Sequence, residues 1–213
     1  MNQSPASSTG GAKPPTRRAM AKQRTRQRLL GAAKRLFAER GYEAATVRDI
    51  AAAADLSTGA VFASFTDKAE LFNEVILADY EALVRMMREA SNEGSTRASL
   101  LKLFTLAYSL HIDELRLMQA AIGFSWLRDP QAERRARESA RMIQAELEGI
   151  LQRGVESGEL SRSTDVSLTV EMLWASYVAN YRQAIYDGWD VGALRTKFSA
   201  QIDLLLVEAR AAA

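Results

Sequence analysis

Three hydroxyl side chains, Thr46, Ser57 and Thr58, fall where helical patterns begin. At a helix N-terminus a hydroxyl and the unpaired backbone N–H groups together suit an anion, a phosphate above all. Basic side chains crowd the same end of the chain: Arg17, Arg18, Lys22, Arg24, Arg26 and Arg28, then Arg48 and Lys68. Residues 1–68 hold 12 Lys/Arg against 5 Asp/Glu, and the remainder holds 16 against 21. A basic head on an acidic body points to a polyanionic partner at the N-terminal end. Plainer readings coexist with this one. Thr46 and Ser57 also serve as ordinary helix caps, and a basic tail is also a solvated tail.

Other chemistries lack their residues. There is no cysteine, and His111 is the only histidine. No glycine-rich phosphate loop, metal-ligand spacing or nucleophile elbow occurs, and the carboxylates are scattered at ordinary helix-surface positions. Neither an enzyme nor a cofactor or metal site is expected. No apolar run approaches the roughly 20 residues that span a bilayer, and the N-terminus lacks a signal-peptide core. Cysteine-free composition suits a reducing cytoplasm, which is the expected location.

The elements that position these groups read as helices throughout, so the fold class is all-α. Residues 1–16 are rich in Ser, Gly and Pro without apolar periodicity, and are expected to be disordered. From about Thr25, Leu29, Leu30, Ala33, Leu36 and Phe37 follow the spacing of one buried helix face, and Gly41 stops that helix. Thr46 caps a second, short helix with Val47, Ile50 and Ala54 inward. Asp55-Leu56 breaks the chain, Ser57 caps a third helix to about Phe65, and Asp67 caps a fourth from Lys68 to Glu89. Phe72, Ile76, Tyr80, Leu83 and Met87 form its inward row. Further helices are expected near 96–110, 112–126, 131–154, 165–186 and 191–210, with breaks at 91–95, Asp129-Pro130, Gly154 to Gly158 and Asp187-Gly188. Short second and third helices with a tight break between them describe a helix-turn-helix, in which the second helix buttresses the third for entry into a DNA major groove.

Residues 29–72 resemble the DNA-binding head of the TetR family. The matching features are Ala32-Ala33, Leu36-Phe37, Gly41-Tyr42, Thr46-Val47, Ile50-Ala51, Leu56-Ser57, Gly59, Phe62, Phe65, Lys68 and Leu71-Phe72. Two positions depart from the family pattern. Asp55 stands where the turn usually has Gly, and Phe62-Ala63-Ser64-Phe65 lacks the usual tyrosine hydroxyl. The resemblance implies three parts: a basic tail over 1–20, a helix-turn-helix domain over 21–68, and a helical regulatory and dimerisation domain over 69–213. It implies a DNA-contacting set of Thr46, Val47, Arg48, Ser57, Thr58, Gly59, Ala60, Phe62, Ala63, Ser64 and Lys68. Thr46, Thr58 and Lys68 would hold phosphates. Gly59 would let backbone approach DNA closely, and Arg17, Arg18, Lys22, Arg24 and Arg26 could act as an arm.

Beyond the head the resemblance covers architecture alone. The helix over 165–186 is apolar nearly all round, and the last has Leu194, Phe198, Ile202 and Leu205 on one row. Such helices need cover on more than one side. Paired across a two-fold axis they would make a homodimer, although a large monomeric core would also cover them. Double-stranded DNA with a palindromic operator is the implied partner, and a small apolar or aromatic effector the implied ligand. Phe104, Tyr108, Met118, Phe124, Trp126, Met142, Trp174, Tyr177 and Tyr181 are its candidate lining. A Met/aromatic stripe at helical spacing is more often core, and His111 reads as a surface cap. The implied mechanism is repression relieved when an effector tilts the fourth helix. Control by a protein partner, or activation, is the alternative.

Overall fold

In the computed structural model, residues 16–90, 94–127 and 130–211 are described, with side chains given to Leu206. All regular structure among them is helical: α1 (Arg17–Arg40), α2 (Val47–Ala53), α3 (Thr58–Phe62), α4 (Lys68–Glu89), α5 (Thr96–His111), a 3-10 turn (Ile112–Glu114), α6 (Leu115–Ser125), α7 (Pro130–Glu156), α8 (Val166–Asp187) and α9 (Val191–Ala211).

Local chemistry explains the boundaries. Thr46 caps α2 in a reciprocal box: its hydroxyl oxygen accepts from Asp49 N at 3.1 Å, and Asp49 Oδ2 accepts from Thr46 N at 3.3 Å. Ser57, Asp67, Ser95 and Asp165 cap α3, α4, α5 and α8, each side chain accepting from the backbone N–H three residues on. Each such cap contributes about 1 kcal/mol. Gly41 ends α1 at φ 82°, a backbone conformation that a side chain disfavours.

Several boundaries differ from expectation. Helix α1 starts at Arg17, eight residues earlier than the apolar pattern, because Thr16 caps it and accepts from Ala19 N at 3.2 Å. Residues 17–24 are therefore an exposed basic helix rather than tail. The disorder expected for residues 1–15 lies outside the described residues, as does part of each break at 91–95 and 129–130. Helix α3 is shorter than expected. Gly154 does not break α7, which runs on to Glu156. Gly154 is buried there, and a Cβ would collide with Thr96 Oγ1, so glycine serves close packing of α7 on the start of α5.

Two apolar clusters organise the molecule. One joins α4, α5, α7, α8 and α9 around Leu100, Tyr108, Leu147, Tyr181 and Phe198. The other is the head: Leu29, Phe37, Ile50, Val61 and Phe65 close on Leu71, Phe72, Val75 and Ile76 of α4. Leu117 and Ala121 of α6 belong to this second cluster, so a body helix is built into the head's core. An aromatic group of Phe37, Tyr42, Phe72 and Phe124 closes the same junction, with centroids 4.6–5.8 Å apart. Burying each of these rings stabilises the junction by about 2–3 kcal/mol.

Candidate nucleic-acid interface and body cavity

Around α3 the head presents an exposed face made of Ser57, Thr58, Gly59, Phe62 and Ala63, beside exposed Thr46 and Arg48 of α2. Phe62 is 58% exposed, so it is not a core residue. Val61 and Phe65, on the other side of the same turn, are buried and hold α3 in place. Val47 and Ala60 are half-buried behind this face. The Ser64 hydroxyl turns back on α3 and donates to Ala60 O at 3.1 Å. A Cβ on Gly59 would meet only Ser57 Oγ, at 3.7 Å, so the protein's own packing does not require glycine there. Thr46 Oγ1 donates to Asp49 Oδ2 at 2.7 Å, and these bonds from Thr46 hold the Asp49 carboxyl below its usual range.

Two of the basic residues assigned to DNA are engaged elsewhere. Lys68 Nζ donates to Tyr42 O at 2.8 Å and Ala45 O at 3.2 Å, and lies 4.2 Å from the Tyr42 ring centroid. It ties the α1–α2 turn to the start of α4. Arg26 is likewise turned inward and is no part of an arm. It donates to Ser64 O at 2.9 Å and Glu74 Oε2 at 2.5 Å, and stacks over Phe65. Arg17, Arg18, Lys22 and Arg24 remain exposed on the first turns of α1.

Ion pairs that the sequence read as ordinary surface charges bind head to body. Glu74 of α4 accepts from Arg26 of α1 and from Arg135 of α7. Lys34 of α1 meets Asp79 Oδ1 of α4 at 2.8 Å and Glu114 at 3.0 Å. Burial opposes the Lys34 charge, but the two carboxylates outweigh it and hold the ammonium above its ordinary value. Burial also pushes the Asp79 carboxyl up, against the pull of Lys34.

Asp79 stands in the wall of a body cavity of about 270 Å³. Ile76, Tyr80 and Leu83 of α4, Met118, Ala121, Ile122 and Ser125 of α6, and Trp174, Tyr177 and Val178 of α8 complete most of it. Glu133, Ala136, Arg137 and Ala140 of α7 form the remaining side, with His111 at the end of α5. Of the expected lining residues, Met118, Trp174 and Tyr177 are here. The others are not. Phe104 and Tyr108 are core residues packed on Phe198. Phe124 belongs to the aromatic group at the head junction. Trp126 is 89% exposed, and Met142 faces outward on α7. Tyr181 is buried behind Tyr177, 2.8 Å between their hydroxyls.

His111 is buried rather than a surface cap. Its Nδ1 lies 3.1 Å from Ala107 O and 3.4 Å from the Tyr181 hydroxyl. Burial, then the Lys34 charge, holds the imidazole below its ordinary value. From the cavity a buried polar chain continues toward α9. The Asn180 amide donates to Tyr108 OH at 3.1 Å and Gln201 Oε1 at 2.7 Å, and Tyr108 OH donates to Tyr177 O at 3.3 Å. Burial pushes the Tyr108, Tyr177 and Tyr181 hydroxyls up, so all three stay protonated donors.

Known proteins resemble this chain in its head and in its fold. The model of bacterial regulatory proteins of the tetR family matches residues 29–75. The transcriptional repressor KstR2 of Rhodococcus jostii is 31% identical over 171 residues, covering 75% of this chain and 79% of the relative. The repressor AcnR of Corynebacterium efficiens is 46% identical over 70 residues, 33% of this chain and 36% of AcnR. Among solved structures, FadR of Bacillus subtilis in complex with stearoyl-CoA superposes with a TM-score of 0.73 at 20% identity, covering 84% of this chain and 97% of FadR.

Proposed function

The chain belongs to the TetR family of bacterial transcriptional regulators, and on that premise we propose that it is a cytoplasmic homodimeric repressor released from a palindromic operator by a small apolar effector. The observation that carries this reading is the exposed face of α3 beside Arg48, on a head whose core is shared with the cavity helices α4 and α6. Thr58, Gly59, Phe62 and Ala63 meet the major groove, and the helix N-termini at Thr46 and Ser57 receive phosphates. Short and apolar side chains on α3 give few hydrogen bonds to base edges, so phosphate contacts supply much of the affinity.

The dimer forms through α8 and α9. Leu168, Met172 and Tyr186 of α8 and Leu204 of α9 are 45–74% exposed. With Ala175 and Ala179, also exposed, the α8 residues fall on one helix face. An apolar stripe of this kind fits a self-complementary two-fold contact. Two heads then read half-sites about one helical turn apart, or a multiple.

The effector occupies the cavity between α4, α6, α7 and α8. Its wall is mainly apolar and aromatic and its volume suits a small molecule, which favours a ligand over a protein partner as the signal. The effector releases DNA by preferring the head arrangement that does not fit the operator, by a coupling of about 1–3 kcal/mol.

Selection of duplexes from a random pool by the purified chain tests the reading. Enrichment of a palindrome is expected. A folded protein that selects no sequence, even at low salt, contradicts it.

A further inference from the structure

The charges around the cavity do not balance. Asp79 and Glu114 face one ammonium, Lys34, and the Arg137 guanidinium at the cavity edge is held by Glu133 at 2.6 Å. His111, the remaining titratable group in the wall besides the tyrosines, is held toward its neutral form. The second oxygen of Asp79, Oδ2, is buried and has no hydrogen-bond partner among the described residues, while the residue as a whole is 8% exposed. A buried carboxylate oxygen without a donor is costly. A single cationic donor placed there would satisfy the oxygen and balance the cluster together. The rings of Tyr80, Trp174 and Tyr177 stand in the same wall, Trp174 and Tyr177 with centroids 5.4 Å apart. Such rings accept both an apolar body and a nearby cation.

Resting on the reading of this cavity as the effector site, we propose that the effector is an organic cation, an apolar or aromatic amine whose ammonium donates to Asp79 Oδ2. A carboxylate end is disfavoured, because it would meet Asp79 across the cavity with the nearby cations already paired. Asp79 is thus the residue that sets ligand class. Its other oxygen holds Lys34 of α1, so the occupant's charge reaches the head through one side chain.

Calorimetry on the full chain with three matched probes tests this: 4-phenylbutylamine, 4-phenylbutan-1-ol and 4-phenylbutanoate. The amine is expected to bind at least about tenfold tighter than the carboxylate, with the alcohol between. Asp79→Asn should weaken the amine by about tenfold and leave the alcohol within about threefold. Should that variant fail to fold, the ranking of the three probes on the unaltered chain decides alone. Val178→Trp, which fills the cavity, separates two failures. If the probes bind, this variant abolishes binding and the carboxylate equals or exceeds the amine, the cation proposal falls and the cavity reading stands. If binding survives Val178→Trp, or no probe binds the unaltered chain, the proposal falls together with its site.

Discussion

Asp55 is the non-glycine residue with positive φ among the described residues, at 52°, and it forms the break between α2 and α3. Arg28 steadies the turn by donating to Ala54 O at 2.6 Å and Asp55 O at 3.3 Å. The Asp55 carboxylate itself is exposed and 3.5 Å from Arg28, an ion pair of little worth in solvent. Asp55→Gly should therefore raise stability by about 1 kcal/mol, read as a higher urea midpoint. An unchanged or lower midpoint would mean that the carboxylate matters more than the backbone. His111 sets a second expectation. Its folded-state value lies below the ordinary 6.5, so the unfolded chain takes up a proton that the fold resists. Stability present at pH 7.5 should fall as pH drops through 6.5. Asp79, held above its ordinary value, acts with the opposite sign at lower pH. The informative quantity is thus the difference between the unaltered chain and His111→Leu. The melting temperature of His111→Leu should change less between pH 7.5 and 5.5, and parallel curves would refute the assignment.

At the scale of the element, α1 is two things at once. Its second half is buried on α4 and α6, while its first turns project exposed and basic. Arg17→Ala, Arg18→Ala and Lys22→Ala together should weaken operator binding and flatten the log–log salt dependence by about 0.9 for each phosphate that the variant no longer neutralises. An unchanged slope would show that this end of α1 meets no phosphate. Helix positions were largely legible in the sequence, because caps such as Thr46, Ser57 and Asp67 and the stop at Gly41 act locally. The early start of α1 was not, since an exposed helix carries no apolar period. Periodicity also says which face of a helix is apolar, not which neighbour covers it. That is why Phe124 joins the head, Trp126 faces solvent and Tyr108 sits in the core, while Met118, Trp174 and Tyr177 reach the cavity. The pairings Glu74–Arg26–Arg135 and Lys34–Asp79 join residues far apart in sequence, and nothing local marks them.

For the whole molecule, the proposed pairing through the outward stripe on α8 and α9 sets the expectation. Met172→Glu with Leu204→Glu places charge on that stripe without touching the buried row of Leu173, Tyr177, Phe198 and Ile202. Sedimentation should show a folded monomer, and binding to a palindromic duplex should fall at least about tenfold as the second head is lost. A dimer that persists would locate the interface elsewhere.

Helix α4 runs without interruption over 22 residues, from the head at Lys68 to the body at Glu89. That is a rod of about 33 Å. Pivoting such a rod by about 6° sweeps its far end through about 3.4 Å, close to the rise of one base pair. Helix-packing angles scatter by about 15–20° among the helix pairs of a single class, so a rotation of this size stays within one packing class. A tilt small enough to keep α4 within its packing class is thus large enough to shift a head by the rise of one base pair.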